Sequence, residues 1–170
     1  MRKMEGMKRS LFTTLFLLAI TTALVAAAHF FGATASVVTS GSLLGDLAVS
    51  FDEAGLGNGN IDYTISAAAR ADYGCINGGS NHPQATNKSS SNATVSAGAT
   101  FQAKNGRVQA TVNLPVPPPL AGFSCPGGQV AVLAKVTYAN VTLSDTTSGT
   151  SISQADMTGS FDHTFFTFKH

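Results

Sequence analysis

The fifteen residues from Ile61 to Cys75, IDYTISAAARADYGC, alternate without a break. Ile61, Tyr63, Ile65, Ala67, Ala69, Ala71, Tyr73 and Cys75 fall on one side, and Asp62, Thr64, Ser66, Arg70 and Asp72 on the other. A period of two is the signature of a strand with one buried face, because successive side chains leave a strand on opposite sides. At about 3.3 Å per residue the segment would run roughly 50 Å, long for one straight strand in a small domain. The alanines Ala67 to Ala69 are where a bend or bulge is predicted, since small side chains tolerate it.

The rest of the chain after residue 28 follows the same rule, and no segment there shows capped helical periodicity. NATVSAGATF turns Ala93, Val95, Ala97, Ala99 and Phe101 to one face, and RVQATVNL does the same with Val108, Ala110, Val112 and Leu114. Between them Asn105-Gly106 supplies the positive φ angles of a tight hairpin turn. VAVLAKVTYANVTL has an inward phase at Val130, Val132, Ala134, Val136 and Tyr138 that shifts to Val141 and Leu143, which predicts a bulge near Ala139-Asn140. FFGATASVV, DLAVSF, a short strand at Thr150 to Ser153 after the turn DTTSG, and a last strand in MTGSFDHTFFTF bring the total to about eight. In that last strand Phe166 and Phe168 share a face opposite Phe161 and Phe165. The expected fold is all-β: an immunoglobulin-like antiparallel β-sandwich of about seven to eight strands, with a closed β-barrel as the alternative. The absence of tryptophan argues against a true antibody-type domain.

Upstream of these strands the order is basic, apolar, small. Arg2, Lys3, Lys8 and Arg9 stand against the single acid Glu5, an apolar run follows from Leu11, and TTALVAAA closes it. That is the pattern of a secretory signal. Ala26-Ala27-Ala28 fits a small-x-small cut after Ala28, giving residues 1–28 as signal peptide and 29–170 as one secreted domain. Ala33-Thr34-Ala35 is a second site, but a cut there removes a strand. An uncleaved anchor is the other reading, although eighteen helical residues span only about 27 Å. The protein is expected to be secreted or at the cell surface, touching a membrane only if the leader is kept. Met7, before KRS, is an alternative start.

Removing residues 1–28 takes four of the ten basic residues and one of the nine acidic ones, leaving six against eight. A slightly acidic domain has no electrostatic means of gripping nucleic acid or anionic lipid. The two cysteines, Cys75 and Cys125, lie outside the leader, where thiols pair, so a disulfide is predicted.

If every strand reverses, the loops sort onto two ends. The loop after Cys75 and the loop PVPPPLAGFSCPGG then share the upper end, which brings the cysteines together. Asn77, Asn81, His82, Gln84 and Lys88 form a candidate binding rim there. Pro115, Pro117, Pro118 and Pro119 read as a stiff crossover between sheets rather than a ligand for a proline-binding module.

Candidate metal ligands are sparse. A cut after Ala28 would expose the amine and imidazole of His29 to a copper ion, with His163 or His170 as the only histidines able to approach it. Asn58, Asn60 and Asp62 alternate as oxygen ligands do in calcium loops, without a downstream bidentate glutamate. Gly55, Gly57 and Gly59 precede a strand and so are no nucleotide fingerprint. Asp52 and Glu53 point to opposite faces and cannot act as a pair. No hydrolase, metalloprotease or cofactor-binding motif is present. Asn87, Asn92 and Asn140 begin glycosylation sequons.

HFFGATAS, LAVSFDEAGLGN, YGCINGG with NHPQATNK, FSCPGGQ and VTYANVTLSDTTSG resemble a family of small secreted bacterial proteins of unknown function. Its most specific parts are the cysteine motifs CINGG and SCPGG. The resemblance covers most of residues 29 to 151. It implies an exported single domain beginning near His29, and no activity. Two functions are therefore carried forward. The first is a non-enzymatic extracellular binding or assembly module, engaging an outside partner or pairing with itself through edge strands. The second is a secreted copper-dependent enzyme using His29.

Overall fold

The computed structural model describes residues 27–77 and 87–168. The leader up to residue 26, with Asn81, His82, Gln84 and His170, lies outside the described residues. Among the described residues nine strands run in chain order: β1 (His29–Val37), β2 (Leu47–Ala54), β3 (Asn60–Asn77), β4 (Lys88–Gln102), β5 (Arg107–Leu114), β6 (Gln129–Asp145), β7 (Thr150–Ser153), β8 (Met157–Gly159) and β9 (Asp162–Thr164). They form two sheets. One has the order β5-β2-β1-β8; the other has the order β4-β3-β6-β7, with β9 also on β6. The sheets face each other as a sandwich and do not close into a barrel.

The core is what the alternation requires. Ile61, Tyr63, Ile65, Ala67, Ala69, Ala71 and Tyr73 from β3 meet Leu47, Val49 and Phe51 from β2, all buried. Phe51, Tyr63 and Phe101 form an aromatic cluster with ring centroids 4.6–6.2 Å apart. The long third strand is not broken: β3 runs 18 residues. Its irregularity falls on the partner, where Ser66 and Ala68 of β3 face Thr142 and Ala139 of β6. The extra residue lies between them, at Asn140-Val141, and Asn140 has φ +56°. The predicted bulge at Ala139-Asn140 and the predicted bend at Ala67–Ala69 are thus one feature, carried by β6.

A second irregularity was not legible. Asp72 and Tyr73 face Lys135 and Leu133, so Ala134 is an added residue. It reverses the phase of the start of β6: Leu133 is buried and Val130 is 61% exposed, against the inward place expected for Val130 and Val132. The β4 residues Val95, Ala97 and Ala99 do face the opposite sheet, yet they are only half-buried and Ala93 is exposed. As the last strand of its sheet β4 keeps one flank open to solvent, and Ala93 lies beyond the reach of the eight-residue β5.

The Asn105-Gly106 turn forms as expected, with φ +52° and +72°. The two strands it joins do not form the expected hairpin: it carries the chain from β4 in one sheet to β5 in the other, with only Lys104 and Arg107 exchanging backbone hydrogen bonds of 2.9 and 3.1 Å. Two expectations need correction. The sheets are not purely antiparallel, because β8 runs parallel to β1 through Ala33↔Met157 and Ala35↔Gly159. Residues 157–168 are not one strand either: β8 belongs to the first sheet and β9 to the second. Gly159 makes the corner with φ +111°, and a side chain there would overlap the Ala35 carbonyl oxygen. That oxygen already accepts from Ser160 N at 3.0 Å. Gly159→Ala should therefore destabilise the domain by about 2–4 kcal/mol, read as a lower urea midpoint; an unchanged midpoint would show the corner to be unstrained.

Candidate functional site

At the upper end β3 delivers Cys75 to Cys125, with Cα atoms 5.5 Å apart, so the disulfide is present and the loops sort as the alternation implied. The proline segment crosses from β5 to β6 between the sheets and is tied down on the way. Tyr73 OH donates to the Pro117 carbonyl at 2.6 Å, Val116 N to Asp46 Oδ1 at 3.0 Å and Leu120 N to Ser89 Oγ at 3.4 Å. Burial raises the Tyr73 phenol above its ordinary range, which keeps it a donor.

Of the rim residues, Asn77 ends β3 and Lys88 begins β4, so they flank the segment 78–86. The Lys88 ammonium sits 5.0 Å from the Phe168 ring centroid. Phe168 itself lies on Gly74, where any side chain would collide with the ring. Phe166 packs on Phe168 at 5.3 Å, whereas Phe161 and Phe165 pack on the core. The two pairs of phenylalanines do separate, but each pair has a cover or a surface to lie on.

The lower end holds the ionisable groups. Asp52 and Glu53 diverge as expected. Asp52 points outward to a double hydrogen bond from Arg107 and one of 2.9 Å from Gln109, and the Arg107 bonds hold its carboxyl down at about 2. Glu53 points inward and is fully buried. Its Oε2 accepts from Tyr63 OH at 2.8 Å, and its Oε1 has no partner. Burial pushes its carboxyl above the usual range; the Tyr63 bond opposes this, the nearby Asp145 charge adds to it and the His29 charge opposes it.

Asp145 is also fully buried. It caps its own turn, accepting from Thr147 N at 2.7 Å, Ser148 N at 3.0 Å and Ser148 Oγ. The sequence reading assigned no role to Glu53 or Asp145. The signal for Glu53 was available: it continues the inward phase of Leu47, Val49 and Phe51 if β2 is extended by two residues past Phe51.

The candidate metal ligands do not converge. His29 sits opposite Ala54 at the lower end, while His163 sits opposite Val136, higher on β6. The Asp62 carboxylate accepts from Thr100 at 2.6 Å, and Asn60 lies two residues along the same strand, about 6.6 Å away. Among the described residues no group of three or more His, Cys, Asp or Glu is placed to hold a metal. No described helix is long and apolar enough to cross a membrane. Compared with known protein families, curated proteins and solved structures, the chain matches none.

Two outcomes follow. Replacing Cys75 and Cys125 by alanine opens a 50-residue loop, and should lower stability by about 4 kcal/mol in denaturant titrations; a change below 1 kcal/mol would mean the proline loop holds the rim by itself. Glu53 has a folded pKa above its unfolded one, so its contribution is full at acid pH and is lost as pH rises through the folded value. The melting temperature should fall with rising pH over that interval, and Glu53→Gln should flatten the fall. An identical slope in the variant would exclude Glu53 as its source.

Proposed function

We propose that this chain is an exported, non-enzymatic structural module that assembles with a second copy of itself by strand addition along β4. The basic-apolar-small leader and the disulfide support export. One observation carries the assembly. Among the described residues β4 ends its sheet, is 15 residues long and pairs only with β3. From Ser89 to Gln102 it contains no charge and no proline.

Sheet edges expose a row of unpaired N–H and C=O groups, and monomeric proteins blunt them with short strands, charges, prolines or bulges. The opposite side of this sandwich follows the rule, since β7, β8 and β9 are four, three and three residues long. β4 has none of these defences beyond Ser89, where the proline loop touches it.

The second copy is favoured by self-complementarity. Two β4 edges meeting about a two-fold axis place uncharged side chains, mostly Ser, Thr and Ala, opposite one another, with no like charges to repel. The added strand would also cover Val95, Ala97 and Ala99, which the sandwich leaves half-buried. Main-chain hydrogen bonds supply the affinity in this mode.

Ala97→Lys puts an inward-pointing charge on the edge. Sedimentation should show a concentration-dependent dimer for the wild type and a monomer for the variant, with the melting temperature of the dilute protein unchanged. A wild-type protein that stays monomeric at high micromolar concentration would defeat the assembly reading, and a dimer that survives the substitution would move the contact elsewhere.

A further inference from the structure

The cleavage expected after Ala28 falls at a structurally distinct place. The Ala28 carbonyl accepts a hydrogen bond from Thr150 Oγ1 at 3.3 Å, Thr150 Oγ1 lies 2.9 Å from Ser148 Oγ, and Ser148 Oγ donates to Asp145 Oδ2. The peptide bond that joins leader to domain therefore sits at one end of a polar chain whose other end is a fully buried carboxylate.

A count of protons shows that this chain is short of one. Each hydroxyl has a single proton to give. Three contacts share two hydroxyl protons: with Ser148 giving its own to Asp145, Thr150 can serve either Ala28 O at 3.3 Å or Ser148 Oγ at 2.9 Å, and one of the two goes unfilled. The same end of the molecule holds Glu53, fully buried with Oε1 unpartnered, so there are two buried acids. No lysine or arginine among the described residues pairs with either; Arg107 and Arg70 are engaged by Asp52 and Asp72.

We infer that this lower end is a receptor for the chain's own α-ammonium group, formed when the leader is cut after Ala28. The inference rests on the export reading above. Hydrolysis of the 28–29 peptide bond adds one water: the acyl carbon of Ala28 leaves as a carboxylate with the leader, and the nitrogen of His29 becomes an ammonium with three N–H donors.

Nitrogen and oxygen of one peptide unit are about 2.3 Å apart, which places that ammonium within about 6 Å of Thr150 Oγ1 before any adjustment. It replaces an acceptor with a donor, and the proton deficit disappears. The ammonium donates to Thr150, Thr150 to Ser148 and Ser148 to Asp145, each hydroxyl accepting once and giving once. The groups facing the new charge are Asp145 from β6, Glu53 from β2, the His29 ring from β1 and Tyr63 from β3. Both carboxyls favour it. Leader removal thereby completes the fold, and β1, the second strand in from the β8 edge, becomes pinned at its free end.

The test compares the exported leader-free protein with a variant carrying Gly-Ser inserted after Ala28, each terminus checked by intact mass. The inserted residues keep an acyl group on His29 and move the ammonium away. The mature terminus should melt about 5 °C higher near pH 7. The gap should vanish in Thr150→Val, which keeps the shape of the side chain and breaks the relay. It should also close as pH rises through the α-amino range, roughly 8 and upward, because an amine with a raised folded pKa contributes its stability below the unfolded value. Equal melting temperatures for the two termini, or a gap that persists in Thr150→Val, would overturn the inference and leave export intact. An exported protein whose mass still includes residues 1–28 would overturn the export reading itself.

Discussion

One strand sets the scale of the molecule. β3 pairs with β4 on one side and β6 on the other, and its inward side chains are the spine of the core. Tyr63 near its lower end and Cys75 near its upper end are about 40 Å apart along the strand. The two chemically distinctive regions hang from those points: the buried acid Glu53 from the Tyr63 hydroxyl, and the stapled loops from the Cys75 sulfur. An 18-residue strand also needs neighbours of comparable length. β6, at 17 residues, meets that need by absorbing two extra residues, and β4, at 15, meets it by overhanging the shorter sheet opposite.

The open flank of β4 is what the proposed assembly uses. Here β4 is the last strand of its sheet, so Val95, Ala97 and Ala99 face inward with one flank left open. The half-exposed inward side chains and the unpaired backbone edge both follow from β4 being the last strand of its sheet, and a further strand would satisfy both. The far side of the sandwich, with its three short strands, presents no comparable opening.

Much of this architecture was legible in the residues, and the failures have physical causes. Alternation named the inward faces of β3, β4 and β5, Asn105-Gly106 named a tight turn but not that it crosses between the sheets, and the phase shift at Asn140 named a bulge. The bulge at Ala134 left no trace because Val130, Val132, Leu133 and Ala134 are all apolar, and a continuous apolar run has no phase to read. The last segment was read as one strand because nothing in MTGSFDHTFFTF outweighs its alternation except Gly159. A single glycine signals a corner only once the Ala35 carbonyl is known to press against it. The relay from Ala28 to Asp145 joins residues more than a hundred positions apart, so only the packing of β7 beside β1 could reveal it. The copper reading of His29 finds no second histidine beside it, since His163 lies opposite Val136, and in the proposal above the same residue matters through its backbone nitrogen.

The proposed assembly requires β4 to be an edge that another β4 completes. Amide hydrogen exchange of the native protein, followed by mass spectrometry at low and at high protein concentration, reads that directly. The expected result is protection of residues 92–100 that grows with concentration while β7, β8 and β9 exchange at the same rate in both samples. Exchange in β4 that is independent of concentration, or protection that appears on the far side instead, would contradict it.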